Sequence, residues 1–476
     1  MSDHELVRLS AVAVVDKLKG GEITPLDLLE ALEKRIAAVD GAVNALPIRC
    51  FERAREHATA LMGRPAEARG IMAGLPVPIK DLIPVSGVRC TKGSPIFADW
   101  VPEDSDLLVK QLEARGGVIY AKSNTPEFGA GANTFNEVFG ATLNPWNTER
   151  SAAGSSGGAA VALATGMAWL AHGSDLGGSL RNPASFCGVV GLRPSPGRVA
   201  ATPTPPIDQT LSVEGPMART AEDLALLLDA MSGADRRDPL SLPVEPGSFL
   251  QAARSGRLPR KVAWSRDLGI TPVDPEVAEI CERAARRFEE LGVIVEEAHP
   301  DLSEAHACFQ SLRAANFAAA YLPLIDRHRD QLKPEIVWNV EKGLAQSMTD
   351  LARAQEQRWR MFERAQRFFE DYDLLLTPAT IVAPYPVEQR YVEECAGHRF
   401  ENYVEWLAIA YAITLVCAPA MSIPAGFTRD GLPVGLQIAA PQRGEAQLLS
   451  AAVRLEEALG LSGGVPIDPR PAPAAG

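Results

Sequence analysis

Thiols are few in this chain of 476 residues: seven cysteines, scattered and without a C-x-x-C pair. That pattern argues against a disulfide frame or a zinc site, and for reduced, mostly buried thiols in a cytoplasmic protein. Long apolar runs are missing as well. The nearest, AAVALATGMAWLA, is interrupted by Thr165 and Gly166 and falls short of the roughly 18 to 20 residues a spanning helix needs. The opening residues MSDHELVRLSAVAVV put acids ahead of a brief apolar segment, which is not the layout of a secretory signal. Positive charge is in deficit, 47 Lys and Arg against 60 Asp and Glu. A net charge of -13 leaves no basic footprint for a nucleic acid or an anionic membrane. What remains is 46% hydrophobic and 22% charged, an ordinary globular balance that excludes disorder, collagen and coiled coil as the overall class.

Residues 1–73 read as a helical region. Ser2 and Glu5 fit a capping box, Gly20-Gly21 stops that segment, and Thr24 caps a second helix with Pro25 in its first turn. Leu29, Leu32, Ile36 and Val39 recur at helical spacing and predict its buried face. From Gly74 to about Gly233, short apolar runs alternate with helical ones. LPVPIKDLIPV is extended, SDLLVKQLEARGG is a capped helix, VIYAK is a buried strand, SSGGAAVALATG turns into a helix, and MAWLAH is a strand. GPMARTAEDLALLLDAMSG reads as a helix boxed by Thr220 and Asp223. SLPVEPGSF and the basic RSGRLPRK mark a surface excursion, residues 274–371 are mostly helical, and strands return within 372–462 as DLLLTPA, PAMSIPAG and LPVGLQIAA. Alternation of this kind predicts an α/β fold, and strands on both sides of the helical stretch predict one domain over 1–476 with a helical insertion. The tail GGVPIDPRPAPAAG is predicted to be frayed.

The stretch GSDLGGSLR, 173–181, is nearly bare of bulky side chains. Leaving a strand, such a loop turns several backbone N–H groups toward one point, the construction of an oxyanion hole, with Ser179 placed as nucleophile. A hydroxyl alone is weak and needs a base. The histidine readings are unconvincing: G-x-S-x-G occurs as GSSGG from Gly154 and GLSGG from Gly460, never around Ser179. His172, on the incoming strand, reads as a packed, hydrogen-bonded residue. Lys80 stands in an apolar run, where a buried lysine is costly unless paired or neutral, and Asp81 is the adjacent candidate partner. In AGSSGG, Ser155 and Ser156 precede a helix, where a plain N-cap is the simplest reading and phosphate cradling a weaker one, since no Lys follows in the G-K-[ST] sense. Taken together, Lys80, Ser155 and Ser179 make a Ser-Ser-Lys acyl-transfer set: a lysine whose burial lowers its pKa, a hydroxyl relay and a nucleophile.

The segments GLPVPIKD, AGSSGGAAVA and GSDLGGSLRNPASFCGVVGLRPSPGRV resemble the amidase signature family. KSNTPEFGAGANTFNEVFGATLNPWN and PAMSIPAGFTRDGLPVGLQIAAP extend the likeness over about Gly74 to Gly233 and Asp371 to Gln447. Departures are small: Ala153 stands where a glycine is common, and GLRPS where GLKPT is commoner. The resemblance implies a large mixed sheet flanked by helices, commonly as a homodimer, working without metal or other cofactor. It implies Lys80 as base, Ser155 as relay after a cis peptide bond, Ser179 as nucleophile, and the N–H groups of Leu176, Gly177, Gly178 and Ser179 as the oxyanion hole. Gly129 falls where backbone meets the acyl part of the substrate, Ser156 supports, and Asp175 and Arg181 order the loop. The partner implied is a small-molecule amide, with no nucleic acid bound directly and no membrane. Two alternatives stay open: the glutaminase-type component of an amidotransferase complex, working with a partner, and an idle family member that only binds. Phe317, Tyr321 and Trp338 of the insertion are candidates for pocket lining or simply core aromatics, and which amide is cleaved stays open.

Overall fold

The computed structural model describes residues 2–244 and 246–471. Its centre is a mixed eight-stranded sheet, in the order Ile294–Glu297, Lys261–Trp264, Leu374–Pro378, Pro433–Ala439, Ala420–Phe427, Val190–Arg193, Val213–Ala218, Leu170–Asp175. The first three strands are mutually parallel, and every other neighbouring pair is antiparallel. Helices pack on this sheet, so the fold is a large mixed α/β sheet flanked by helices. The helical stretch is not purely helical. Ile294–Glu297 pairs with Lys261–Trp264 at the sheet edge, and its charged, mostly exposed sequence IVEE is what an edge strand tolerates. Among the described residues no helix is long and apolar enough to cross a membrane.

A second sheet of three strands, Ile48–Arg49, Val118–Ser123 and Pro76–Lys80, sits beside the edge strand Leu170–Asp175. Every residue of Pro76–Lys80 is buried, which explains the continuous apolar run around Lys80. Wedged behind both sheets is the helix Gly157–Ala164, buried on all sides. It comes close enough because of its glycines. A Cβ on Gly158 would stand 2.6 Å from the Ala45 carbonyl oxygen and collide with the Asn124 backbone.

Local signals yielded to tertiary contacts in several places. The Ser2–Glu5 box forms, but its helix spans only Asp3–Leu6; a separate helix, Ala11–Gly20, starts at Ser10, whose hydroxyl accepts from Ala13 N–H. GPMA belongs to the strand Val213–Ala218, and the helix after it is Ala221–Met231. Thr220 caps that helix, but the box does not close: Asp223 turns its carboxylate to the Val12 N–H at 2.9 Å and ties the N-terminal helices to the core. The C-terminal tail is held rather than frayed as far as Arg470. Ile467 N–H donates to Ala164 O and Arg470 N–H to Pro145 O, each at 2.9 Å, while residues 472–476 of that tail lie outside the described residues. The seven cysteines are all unpaired, five of them buried.

Gly158→Ala tests this close approach. The added methyl meets backbone that cannot swing aside, so the substitution should cost about 2 to 3 kcal/mol, measured by urea unfolding. An unchanged midpoint would mean that the helix does not sit so near Asn124.

A lysine among three hydroxyls

The small sheet delivers Lys80 to the end of the large one. Its backbone N–H donates to His172 Nδ1 at 3.2 Å, which leaves the imidazole proton on Nε2, 2.7 Å from Glu214 Oε2. His172 is thus a buried, hydrogen-bonded spacer between the sheets. The Lys80 side chain is fully buried, and Nζ stands 2.7 Å from Ser155 Oγ, 2.9 Å from Ser156 Oγ and 2.9 Å from Ser174 Oγ. No carboxylate touches it among the described residues: Asp81 turns away to Lys122 Nζ at 2.9 Å and to Thr91 Oγ1 at 2.6 Å. Burial drives the Lys80 amine down to about 7, with the more distant charges of Glu214 and Asp175 pulling the other way. An amine so placed exchanges between charged and neutral forms near neutral pH.

Ser155 and Ser156 follow a cis Gly154–Ser155 peptide and enter the buried helix. Ser156 occupies the N-cap position without capping. Its hydroxyl instead accepts from Lys80 and from Ser174 N–H at 3.3 Å and faces the Ser174 carbonyl oxygen at 3.3 Å. Ser174, on the large-sheet strand, completes the lysine's shell, and reading the motifs alone missed it. Its signal was its place in an all-buried strand, five residues before Ser179.

The turn from Leu176 to Leu180 is bolted from behind by Asp175. That carboxylate accepts from Gly178 N–H (3.0 Å), Leu180 N–H (3.1 Å), Arg181 Nε (3.0 Å) and Arg181 Nη2 (2.8 Å), with Arg193 3.5 Å away. Burial alone would raise the Asp175 carboxyl, but Arg181 and Arg193 hold it well below the usual carboxylate range. Arg181 is fully buried too, reaching Ala410 O and Gln437 Oε1. Gly178, at φ +110°, lies where a Cβ would strike Asn182 and Ala410. Since the Gly178 N–H is committed to Asp175, the N–H groups without an acceptor among the described residues are those of Leu176, Gly177 and Ser179.

A cavity of about 340 Å³ opens here, lined by Ser155, Ser174, Leu176, Gly177, Ser179 and Gly129 among others. Ser179 is half-buried at its edge, and Ser156 N–H donates to the Ser179 carbonyl at 3.3 Å, linking the two serine segments. Gly129, at φ +69°, leaves room beside Ser155: a Cβ there would sit 3.3 Å from Ser155 Oγ. Phe317 and Tyr321 line the cavity, whereas Trp338 does not and packs its ring on Tyr403 instead. Phe309, Arg313 and Glu214, none of them singled out from the sequence for this role, also line it. No cluster of three or more His, Cys, Asp or Glu suited to a metal ion occurs among the described residues.

Comparison with known proteins bears on this arrangement. The family model described as Amidase matches residues 27–449. An acylamidase of Rhodococcus erythropolis is 35% identical over 462 residues, covering 96% of each chain. The A component of the glutamyl-tRNA(Gln) amidotransferase of Moorella thermoacetica is also 35% identical, over 95% of this chain and 97% of its own. Among solved structures, a bacterial aryl acylamidase of the amidase signature enzymes superposes with a TM-score of 0.87 at 27% identity, over 96% of this chain and 99% of its own.

The depressed lysine predicts a pH dependence of stability. Between about 7 and the ordinary value of 10.5 the unfolded chain carries a proton on Lys80 that the folded chain does not. Stability therefore rises with pH across that window, by about 1.4 kcal/mol per unit. Urea unfolding from pH 7 to 9 should show this slope as the difference between the parent chain and Lys80→Met. Parallel pH profiles for the two proteins would contradict it.

Proposed function

The chain belongs to the amidase family and is a hydrolase acting on amides; from that premise we propose that it cleaves the carbon–nitrogen bond of a small-molecule amide through Ser179, Ser155 and Lys80 and an acyl-enzyme. The observation that carries this reading is the 2.7 Å contact between Ser155 Oγ and a lysine amine brought to about 7. In the neutral form Nζ has a lone pair and two N–H groups for its three hydroxyl neighbours. The Ser156 hydroxyl faces the Ser174 carbonyl, and we assign the donation to the lone pair to Ser155, the shortest of the three contacts. Ser155 then takes the proton of Ser179 as Lys80 takes the proton of Ser155, and Ser179 Oγ forms a bond to the amide carbon.

Charge moves onto the carbonyl oxygen, where the N–H groups of Leu176, Gly177 and Ser179 stabilise it, and we assign Gly178 to fixing the turn through Asp175. Collapse of the tetrahedral species breaks the carbon–nitrogen bond, and the proton held by Lys80 returns through Ser155 to the leaving amine. Water then repeats the sequence on the ester and releases the acid with Ser179 restored. Gly129 bares backbone for the substrate next to Ser155. Ser156 and Ser174 hold the amine in place, and Asp175 with Arg181 keeps the donor turn rigid.

A second reading, the glutaminase-type component of an amidotransferase, is favoured by the likeness to the Moorella thermoacetica protein over nearly the whole chain. The two separate on whether the chain alone turns over amides. Purified protein given a panel of aliphatic, aryl and cyclic amides should release amine over many turnovers without a partner, and turnover only on adding a partner protein would favour the amidotransferase reading.

Within the panel, Ser179→Ala and Lys80→Ala should each lower kcat by about 10⁴-fold or more, and a fluorophosphonate should label Ser179 in the parent but not in Ser179→Ala. Because the neutral amine is the working form, kcat/KM should fall about tenfold per unit as pH drops below about 7 and level off above it. Turnover by Lys80→Ala close to that of the parent would remove the lysine from the mechanism.

A further inference from the structure

Arg313 is only 6% exposed, yet its guanidinium has no carboxylate within ion-pair distance among the described residues. The other deeply buried arginines are provided for: Arg181 and Arg193 share Asp175, Arg198 has Glu445, and Arg219 donates to the carbonyls of Val7 and Leu9. Arg313 has the neutral Asn339 Oδ1 as acceptor, and its guanidinium lies over the rings of Phe317, 4.2 Å from the centroid, and Tyr403, 5.4 Å. The nearby acids are taken. Glu335 is bound by Arg390 at 2.7 Å, and Glu127 accepts from Ser94 Oγ and the Lys333 N–H. A guanidinium keeps its charge in any protein, and a buried charge without a counter-charge is expensive.

This charge faces the cavity that holds Ser179. Phe309, Arg313, Phe317 and Tyr321, four residues apart on the helix Ala305–His328, form one stripe along the cavity wall. The stripe starts at the donor turn, since a Cβ on Gly177 would lie 3.2 Å from Phe309 Cζ. Arg313 is one step further, about 6 Å along the helix axis. The other charged groups lining the cavity are Lys92, stacked on Phe97 and Trp100, and Glu214, already held by His172. In a chain of net charge -13, this cavity is lined by two cations and one committed anion.

We propose that the natural substrate is an anionic amide whose carboxylate binds Arg313, about one helical turn from the scissile carbonyl. The proposal rests on the amidase reading of Ser179 and narrows its substrate class. The guanidinium fork matches a carboxylate with two parallel hydrogen bonds, and the two rings beneath it hold it flat and exclude water.

The test compares three amides: the mono-4-nitroanilide of glutaric acid, with a carboxylate in the acyl part; 4-(pentanoylamino)benzoate, with one in the amine part; and the neutral pentanoic acid 4-nitroanilide. The parent enzyme should favour one of the carboxylated amides over the neutral one by about 30-fold in kcat/KM. Arg313→Gln should reduce that preference to within about threefold by lowering kcat/KM for the favoured carboxylated amide far more than for the neutral one, and Arg313→Lys should restore part of it. No preference in the parent, or an equal loss on all three amides in Arg313→Gln, would overturn the proposal. Titration calorimetry with glutarate separates this from the reading of the chemistry. If the parent turns over none of the amides, the amidase mechanism fails, while glutarate binding lost in Arg313→Gln still supports the anion site and binding unaffected by it sinks the site.

Discussion

Everything at this site depends on the absence of a counter-charge beside Lys80. Two fully buried lysines stand on neighbouring strands of the small sheet, and their surroundings differ in kind. Lys122 meets the Asp81 carboxylate at 2.9 Å, and Lys80 meets three hydroxyls. A carboxylate rewards the charged form of an amine, whereas hydroxyls serve either form, because each both donates and accepts. Desolvation is then left unopposed at contact distance and brings Lys80 to about 7. Had Asp81 turned toward Lys80 instead, the same burial would have produced a structural ion pair with the amine held in its charged form.

Rigidity on the other side of the cavity has the opposite origin. Where Lys80 is kept free of charge partners, the donor turn is saturated with them. Asp175 takes two backbone N–H groups and both arms of Arg181, and Arg181 in turn reaches the helix Ala408–Leu415 and the strand Pro433–Ala439. Breaking one partner of so buried a network strands a charge, so the turn is held in a single shape. The absence of side chains in GSDLGGSLR thus serves two purposes. The glycines let Gly178 take a left-handed conformation with Asn182 behind it, and they leave the cavity-lining residues Leu176, Gly177 and Ser179 with N–H groups that have no acceptor among the described residues.

The three segments that carry Lys80, Ser155 and Ser179 were legible in the sequence because each is locally improbable: a lysine in a buried strand, a serine pair among glycines, a bare loop after a strand. The mixed sheet and its helices were legible from the alternation of apolar runs. What escaped was whatever depends on contacts far apart along the chain. Asp223 carries the spacing of a capping box but is drawn to the Val12 N–H, 211 residues away. Ser174 looks like any strand residue until Lys80 arrives from the other sheet. Gly178 was expected to donate to the substrate oxygen, and only the position of Asp175 reveals that its N–H is already used. Arg313 sits in a helix with an ordinary pattern, and its partners Asn339 and Tyr403 come from separate segments.

The cavity joins two parts of the molecule that are stabilised separately. Lys80, the serines and the donor turn are framed by the main core, where the two sheets and the buried helix Gly157–Ala164 fix one another. The opposite wall is built on a satellite core, in which Phe317 packs with Phe128, Ala130, Leu332, Ile336 and Val340. The two cores meet at Gly129: its neighbours Phe128 and Ala130 belong to the satellite core, while Gly129 itself lies beside Ser155. The Lys80 shell is thus framed by the main core, and the Arg313 wall of the same cavity is carried by the insertion helix Ala305–His328.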